Sequence, residues 1–290
     1  MQRREFSQYF WFNKFLLQFC GVLPIFTNNI SSFLNILPVI LSFLCTSFLN
    51  APAIYSLTMH GSEISKEEIA NIFSEHIQLF VAALKVLVLL PKRATLERLV
   101  KMCFDQWATI DDDNTYTEIS VFAQQAQFIT YAFYSNVVCA LMAVAVTPIA
   151  TMMVMTANQS ADYNRQLPYE IGFTPDRHFK TIYGLQVLSG FISLTPIVAI
   201  DTAVVFFSLH GCAHARSCHN RFKQLTTNKE STTTIVNCIE HHQKVLEFTE
   251  CVENVFSGVI LIQSILSISV ICVYSFNLVL VKQFLISLLI

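Results

Sequence analysis

Five residues able to bind a metal fall within ten positions: His210, Cys212, His214, Cys218 and His219. Imidazole nitrogens and thiolates are the ligands of tetrahedral zinc, so the run invites a metal site. The spacing fits none of the usual zinc patterns, in which two close pairs are set apart by a longer loop. The simpler reading is a helix leaving an apolar environment with polar residues half-buried along it. His241-His242 is a second such pair on a helical stretch, and reads as packing or a polar network. No metal and no cofactor is expected. The phosphate loops GxxxxGK and GxGxxG are missing, as are the nucleophile motif GxSxG and the zinc-helix motif HExxH. Nothing supports an enzyme.

Four other ionisable groups stand inside long apolar stretches: Glu75, His76, Lys85 and Asp201. A charge at membrane depth is costly, and marks a functional position by default. Lys85 is within about two turns of one end of its stretch and can extend its ammonium to water along its aliphatic stem. Asp201 is placed similarly, and both are expected to be structural. Glu75 and His76 either line a cavity open to one side or stand at headgroup level.

The elements that carry these groups are five apolar runs: Ile30–Leu49, Ile72–Leu90, Phe128–Thr156, Ile182–Leu209 and Phe256–Leu280. About 20 apolar residues span the ~30 Å hydrocarbon core of a bilayer as a helix. Backbone groups in lipid must be paired internally, which helices achieve; the alternating pattern of a membrane barrel is not seen. The fold class expected is therefore all-α, a polytopic transmembrane bundle forming one membrane domain over residues 1–290. Composition agrees. The chain is 53% hydrophobic and 13% charged, with a mean hydropathy of +0.51, whereas soluble domains carry roughly 25% charged residues. A net charge of −2 gives no basic field for nucleic acid. The segments between spans are too short to hold a soluble domain.

Basic residues orient the bundle. Twelve fall in the N-terminal segment and in the segments after the second and fourth spans, against four in the two intervening loops. The N-terminus is thus expected in the cytoplasm, with 50–71 and 157–181 outside. The first span would act as a signal anchor, since the residues before it lack the build of a signal peptide. The sequon Asn158-Gln159-Ser160 falls in the second outside loop, where it can be glycosylated. A second, Asn29-Ile30-Ser31, falls at the inner face. None of the nine cysteines lies in an outside loop, so no structural disulfide is expected.

Several stretches resemble the insect odorant receptor family. The run Ile239-Glu-His241-His-Gln-Lys-Val-Leu-Glu-Phe-Thr-Glu-Cys251-Val-Glu253-Asn-Val-Phe256-Ser257-Gly leads into Val-Ile-Leu-Ile-Gln263-Ser. It is similar to that family's His, then an acidic residue before a Phe-Ser pair, then an apolar span containing Gln. Leu167-Pro168-Tyr169-Glu, followed by Phe179, Tyr183 and Leu185–Phe191, resembles its entry to the fourth helix. The inside N-terminus and the Pro91-Lys-Arg motif after the second span agree. The motifs are diffuse, and the likeness rests on their ensemble over most of the chain.

The resemblance implies a subunit that detects small volatile hydrophobic ligands and, with a co-receptor in a hetero-oligomer, forms a ligand-gated cation channel. Its place would be the plasma membrane of olfactory sensory neuron dendrites. The ligand pocket implied lies among the outer halves of the helices. Applied here it draws on Phe73, His76, Phe80, Met142, Thr147, Met152, Tyr183, Gln186 and Phe191. Aromatic and thioether side chains suit binding by apolar burial with few polar anchors. Family members have seven helices, the last lining the pore. Two more would be needed beyond residue 290, so a truncated chain without the pore helix is expected, adding no odour-evoked current to what the co-receptor gives alone. Leu278–Ile290 either begins a sixth helix or is an unrelated tail. A gustatory receptor, a non-conducting chemosensory chain and a transporter stay open, although no internal repeat marks the last.

Overall fold

A computed structural model describes residues 4–25, 34–60, 66–110, 112–157, 167–169, 178–227 and 232–289. Among the described residues the fold is all-α, the class expected. Helix α1 spans Phe6–Phe19, α2 Leu37–His60, α3 Lys66–Leu89, α4 Arg93–Ala108, α5 Asp113–Ala157, α6 Phe179–Thr227 and α7 Thr232–Leu289. A short 3₁₀ turn, Leu90–Lys92, joins α3 to α4, with Pro91 where a missing N–H costs least. Among the described residues four of the helices, α2, α5, α6 and α7, are long and apolar enough to cross a membrane.

The long helices outrun the bilayer. At 1.5 Å per residue, α5 is roughly 68 Å long, α6 roughly 74 Å and α7 roughly 87 Å. The expected spans 128–156, 182–209 and 256–280 lie within them. The segments expected on the cytoplasmic side are continuations of these same helices, which pack with α1 and α4. The first expected span, 30–49, overlaps α2 only in part. That helix begins at Leu37 and runs on through Pro52 to His60. The Asn50 side chain donates to Thr46 O at 2.9 Å within it. Asn158 and Asn29 lie outside the described residues.

Helix α6 is the axis of the bundle and packs against α1, α2, α3, α5 and α7. Its fully buried Phe206 and Phe207 meet Phe10 of α1 at ring-centroid distances of 4.9 and 5.6 Å. Phe207 also stacks on Phe256 of α7 at 5.8 Å. The N-terminal segment, broken in sequence by Asn13, Lys14 and Gln18, is thereby a core helix. Asn13 is buried with a partner at each end of its amide: Nδ2 donates to Thr202 Oγ1 and Oδ1 accepts from Thr130 Oγ1, whose hydroxyl is shared with Ala126 O, the two amide contacts each at 3.1 Å. A buried amide with both ends paired avoids the desolvation penalty that would expel it.

Gly21 ends α1. Its φ of 70° suits glycine alone, and an added Cβ would stand 2.6 Å from Val39 Cγ2. The Val22 N–H reaches back to Leu17 O at 2.9 Å, closing the helix in a Schellman turn. The Arg93 guanidinium donates to the carbonyls of Gly21 and Asn35, tying this turn to the start of α4. The segment after the second span is no loose loop: Leu96, Leu99 and Cys103 of α4 are completely buried.

Candidate ligand-binding site

A cavity of about 500 Å³ opens between α3, α5 and α6 beneath the Pro168-Tyr169 segment. Helix α3 contributes Gln78 and Leu79, and α6 contributes Leu194 and Ile197. From α5 come Phe133, Asn136, Val137, Ala140, Leu141 and Val144, one stripe at helical spacing. The wall is apolar apart from the amides of Gln78 and Asn136 and what Tyr169 presents. Such a site binds by burial of apolar surface, with two or three polar groups to orient the guest.

Tyr169 roofs the cavity and is held by α6. Its N–H donates to Gln186 Oε1 at 3.1 Å, and Gln186 Nε2 donates to its carbonyl at 2.8 Å. One buried side-chain amide thus satisfies both backbone groups of a residue outside any helix, as a neighbouring strand would. The tyrosine side chain packs with Leu49, Leu79 and Leu194. Its ring lies 6.0 Å from His76, whose Nδ1 is 3.1 Å from Asn50 Oδ1. Gly190 keeps the α6 surface flat here: a Cβ would stand 3.4 Å from the tyrosine hydroxyl.

Of the nine residues drawn from the sequence, the eight with described side chains scatter around this cavity and none of them lines it. Gln186 and His76 support Tyr169 from behind. Phe191 borders a small void shared with Leu141, Pro168 and Tyr169. The Tyr183 hydroxyl donates to Ala145 O, tying α6 to α5. Met152 is half-buried near the end of α5. Phe80, Met142 and Thr147 are turned outward: Phe80 is 60% exposed and Met142 48%, and Thr147 Oγ1 bonds only its own helix, to Ala143 O. The Phe73 side chain lies outside the described residues. The sequence reading missed the α5 stripe 133/136/137/140/141/144 and Tyr169. Asn136, an amide inside a charge-free run, was the available signal for the first.

The remaining polar candidates resolve differently. Lys85 does not extend to water. It is completely buried, and its Nζ meets Asp201 Oδ1 at 2.6 Å, joining α3 to α6. The Cys/His run divides between two faces of α6. His210, His214 and Cys218 are turned in, while Cys212 and His219 are exposed. His210 Nε2 is 3.0 Å from Gln106 Oε1, and its ring is 4.6 Å from that of His214. Among the described residues no three His, Cys, Asp or Glu side chains come together as a metal set.

Comparison with known proteins accords with this architecture. A family model described as "7tm Odorant receptor" matches residues 68–290. The insect olfactory receptor OR5 from Machilis hrabei, solved in complex with eugenol, superposes with a TM-score of 0.72 at 13% identity, covering 95% of this chain and 72% of that one. A second structure of that receptor gives 0.58 at 12% identity, covering 93% and 72%. Identities this low show a shared fold. No curated protein sequence matches the chain. The helical bundle, the spans it contains and a family match over well more than half the sequence lead to one conclusion: this chain belongs to the odorant receptor family, a family of multi-pass membrane receptors and not of enzymes.

Proposed function

We propose that the chain is a receptor subunit for small volatile hydrophobic molecules, bound in the cavity beneath Tyr169. With a co-receptor it contributes to a ligand-gated cation channel in the plasma membrane of olfactory sensory neuron dendrites. The observation that carries this reading is the cavity itself. At about 500 Å³ it falls within the roughly 300–1,000 Å³ of small-molecule sites, with an apolar wall and few polar groups. The eugenol complex of the insect receptor that shares its fold supports the same reading. His76, Tyr183, Gln186 and Phe191 act here by positioning the roof and the α5–α6 contact.

Binding is tested on the purified chain, by the stabilisation that a panel of small volatile aromatics and terpenoids gives against heat. Val137→Phe, which fills the cavity from α5, is expected to weaken the apparent affinity for each binding odorant by roughly ten- to hundredfold, the equivalent of about 1.4–2.8 kcal/mol of lost apolar contact. Phe80→Ala, on the outward face of α3, is expected to change nothing. Equal responses in Val137→Phe and the parent chain would place the ligand elsewhere.

The topology proposed is an N-terminus in the cytoplasm, from the twelve-to-four distribution of basic residues. An epitope at Met1 is expected to stain only after permeabilisation, and an enzyme that removes N-glycans should alter mobility through Asn158. Staining of intact cells at Met1 would reverse the orientation.

A further inference from the structure

A second pocket, of about 230 Å³, lies far along α6 from the odorant cavity, where the ends of α4 and α5 meet α6 and α7. Its chemistry is the opposite of the first. Arg221 of α6 and Lys244 of α7 line it, with His214 of α6 and His241 of α7. The ion pairs among the described residues are Lys85–Asp201 and Arg98–Glu247, so neither Arg221 nor Lys244 has a carboxylate partner within 4.0 Å.

Two ring nitrogens sharpen the case. His214 is 4% exposed and its Nε2 is buried without a hydrogen-bond partner; so is His241 Nδ1. The two rings are 5.9 Å apart. A buried, unpaired polar nitrogen is costly, and its persistence at a pocket wall points to a ligand that pairs it. With its span ending at Leu209, as expected from the sequence, His214 stands outside the hydrocarbon core. Burial first, then His241 and Arg221, push its pKa down to about 4, so at neutral pH it is an uncharged ring able to donate from Nε2.

These donors select an anion. Arg221 and Lys244 repel a metal ion, and no three-ligand metal set exists among the described residues. Guanidinium, ammonium and imidazole N–H groups converging from two helices suit an oxyanion that accepts from several directions. Glu240 also lines the pocket, but its side chain is exposed and the lining stays net positive. Asp112 lies close enough to Arg221 to feel its charge, but its carboxylate is engaged in capping α5, accepting from Thr115 N–H at 2.9 Å.

We propose that this pocket binds a phosphate group, held by Arg221, Lys244, His214 and His241. The phosphate is either the headgroup of an inositol phospholipid or that of a soluble phosphorylated metabolite. On the proposed topology the pocket faces the cytoplasm. A failed epitope experiment would change which compartment supplies the phosphate, and would leave the binding result as it stands.

The test uses the 290-residue chain in phosphatidylcholine nanodiscs, with thermal unfolding as the readout. Inorganic phosphate, inositol trisphosphate, and nanodiscs containing phosphatidylinositol bisphosphate are the three probes, each against chloride at matched ionic strength. At least one probe is expected to raise the midpoint saturably. Arg221→Gln and Lys244→Gln are each expected to weaken that effect about tenfold. Lys244 is exposed, so its variant folds whatever becomes of the others, and His214→Phe tests the imidazole donor while filling the same space. Response to the lipid alone assigns the headgroup; response to inositol trisphosphate at lower concentration assigns the soluble source. No saturable effect from any probe, or one that the Arg221→Gln/Lys244→Gln double variant leaves unchanged, would overturn the proposal.

Discussion

Asp201→Ala is expected to destabilise the bundle by about 3–5 kcal/mol, the usual cost of stranding one member of a buried ion pair. The size follows from the asymmetry of the pair. Lys85 is completely buried, whereas the Asp201 side chain keeps 27% exposure. Around them Val86, Ile200 and Ala203 are at most 1% exposed, so no water is at hand to solvate a lone ammonium. Lys85→Met is expected to cost less, because the carboxylate it leaves can still reach solvent. The double variant Lys85→Met/Asp201→Leu should recover most of the loss, since a buried pair replaced by apolar side chains of similar volume is commonly neutral. Thermal midpoints of the solubilised receptor, with surface expression beside them, measure the order: Asp201→Ala lowest, then Lys85→Met, then the double variant. An Asp201→Ala midpoint equal to the parent's would show that the pair contributes nothing to the α3–α6 contact.

Element types were legible because lipid imposes one rule, internal pairing of the backbone, and charge-free runs obey it visibly. Where the chain leaves the membrane that rule lapses, and the reading faltered. Leu99 looks like part of a connecting segment, yet α4 buries it completely against the rest of the core. Asn13 looks like a break in an apolar patch, yet Thr130 and Thr202 pair it from 117 and 189 residues away. Lys85 illustrates the same limit: its distance from a helix end is visible in sequence, but its partner is 116 residues on. The candidate site was half legible for a related reason. The resemblance points to the outer half of α5, and periodicity gives the faces of that helix but not which of them turns to α6, so it implies Met142 and Thr147 where Asn136, Val137 and Leu141 line the cavity. Gln186 came from the family resemblance, as a pocket residue; that its amide pairs with Tyr169 is a tertiary fact.

Gln186→Leu is expected to act on the odorant site without touching it. The amide satisfies both the N–H and the carbonyl of Tyr169, at 3.1 and 2.8 Å, and is itself 1% exposed. Leucine fills nearly the same volume and offers neither bond, so two buried backbone groups lose their partners at about 1–3 kcal/mol each. The roof residue can then swing toward water to recover hydrogen bonds, and the wall it forms with Leu49, Leu79 and Leu194 opens. A guest in the cavity must then re-order that segment on binding, which lowers apparent affinity by the fraction of time the roof is in place. Partial relaxation of the two groups within the roofed state leaves a bias of about 1.4–2.8 kcal/mol against it, which corresponds to roughly ten- to hundredfold weaker odorant binding, the same for every ligand in the panel. That uniformity separates it from Val137→Phe, whose effect grows with ligand size. Unchanged affinity in Gln186→Leu, with normal surface expression, would mean that Tyr169 is held over the cavity by its ring contacts alone.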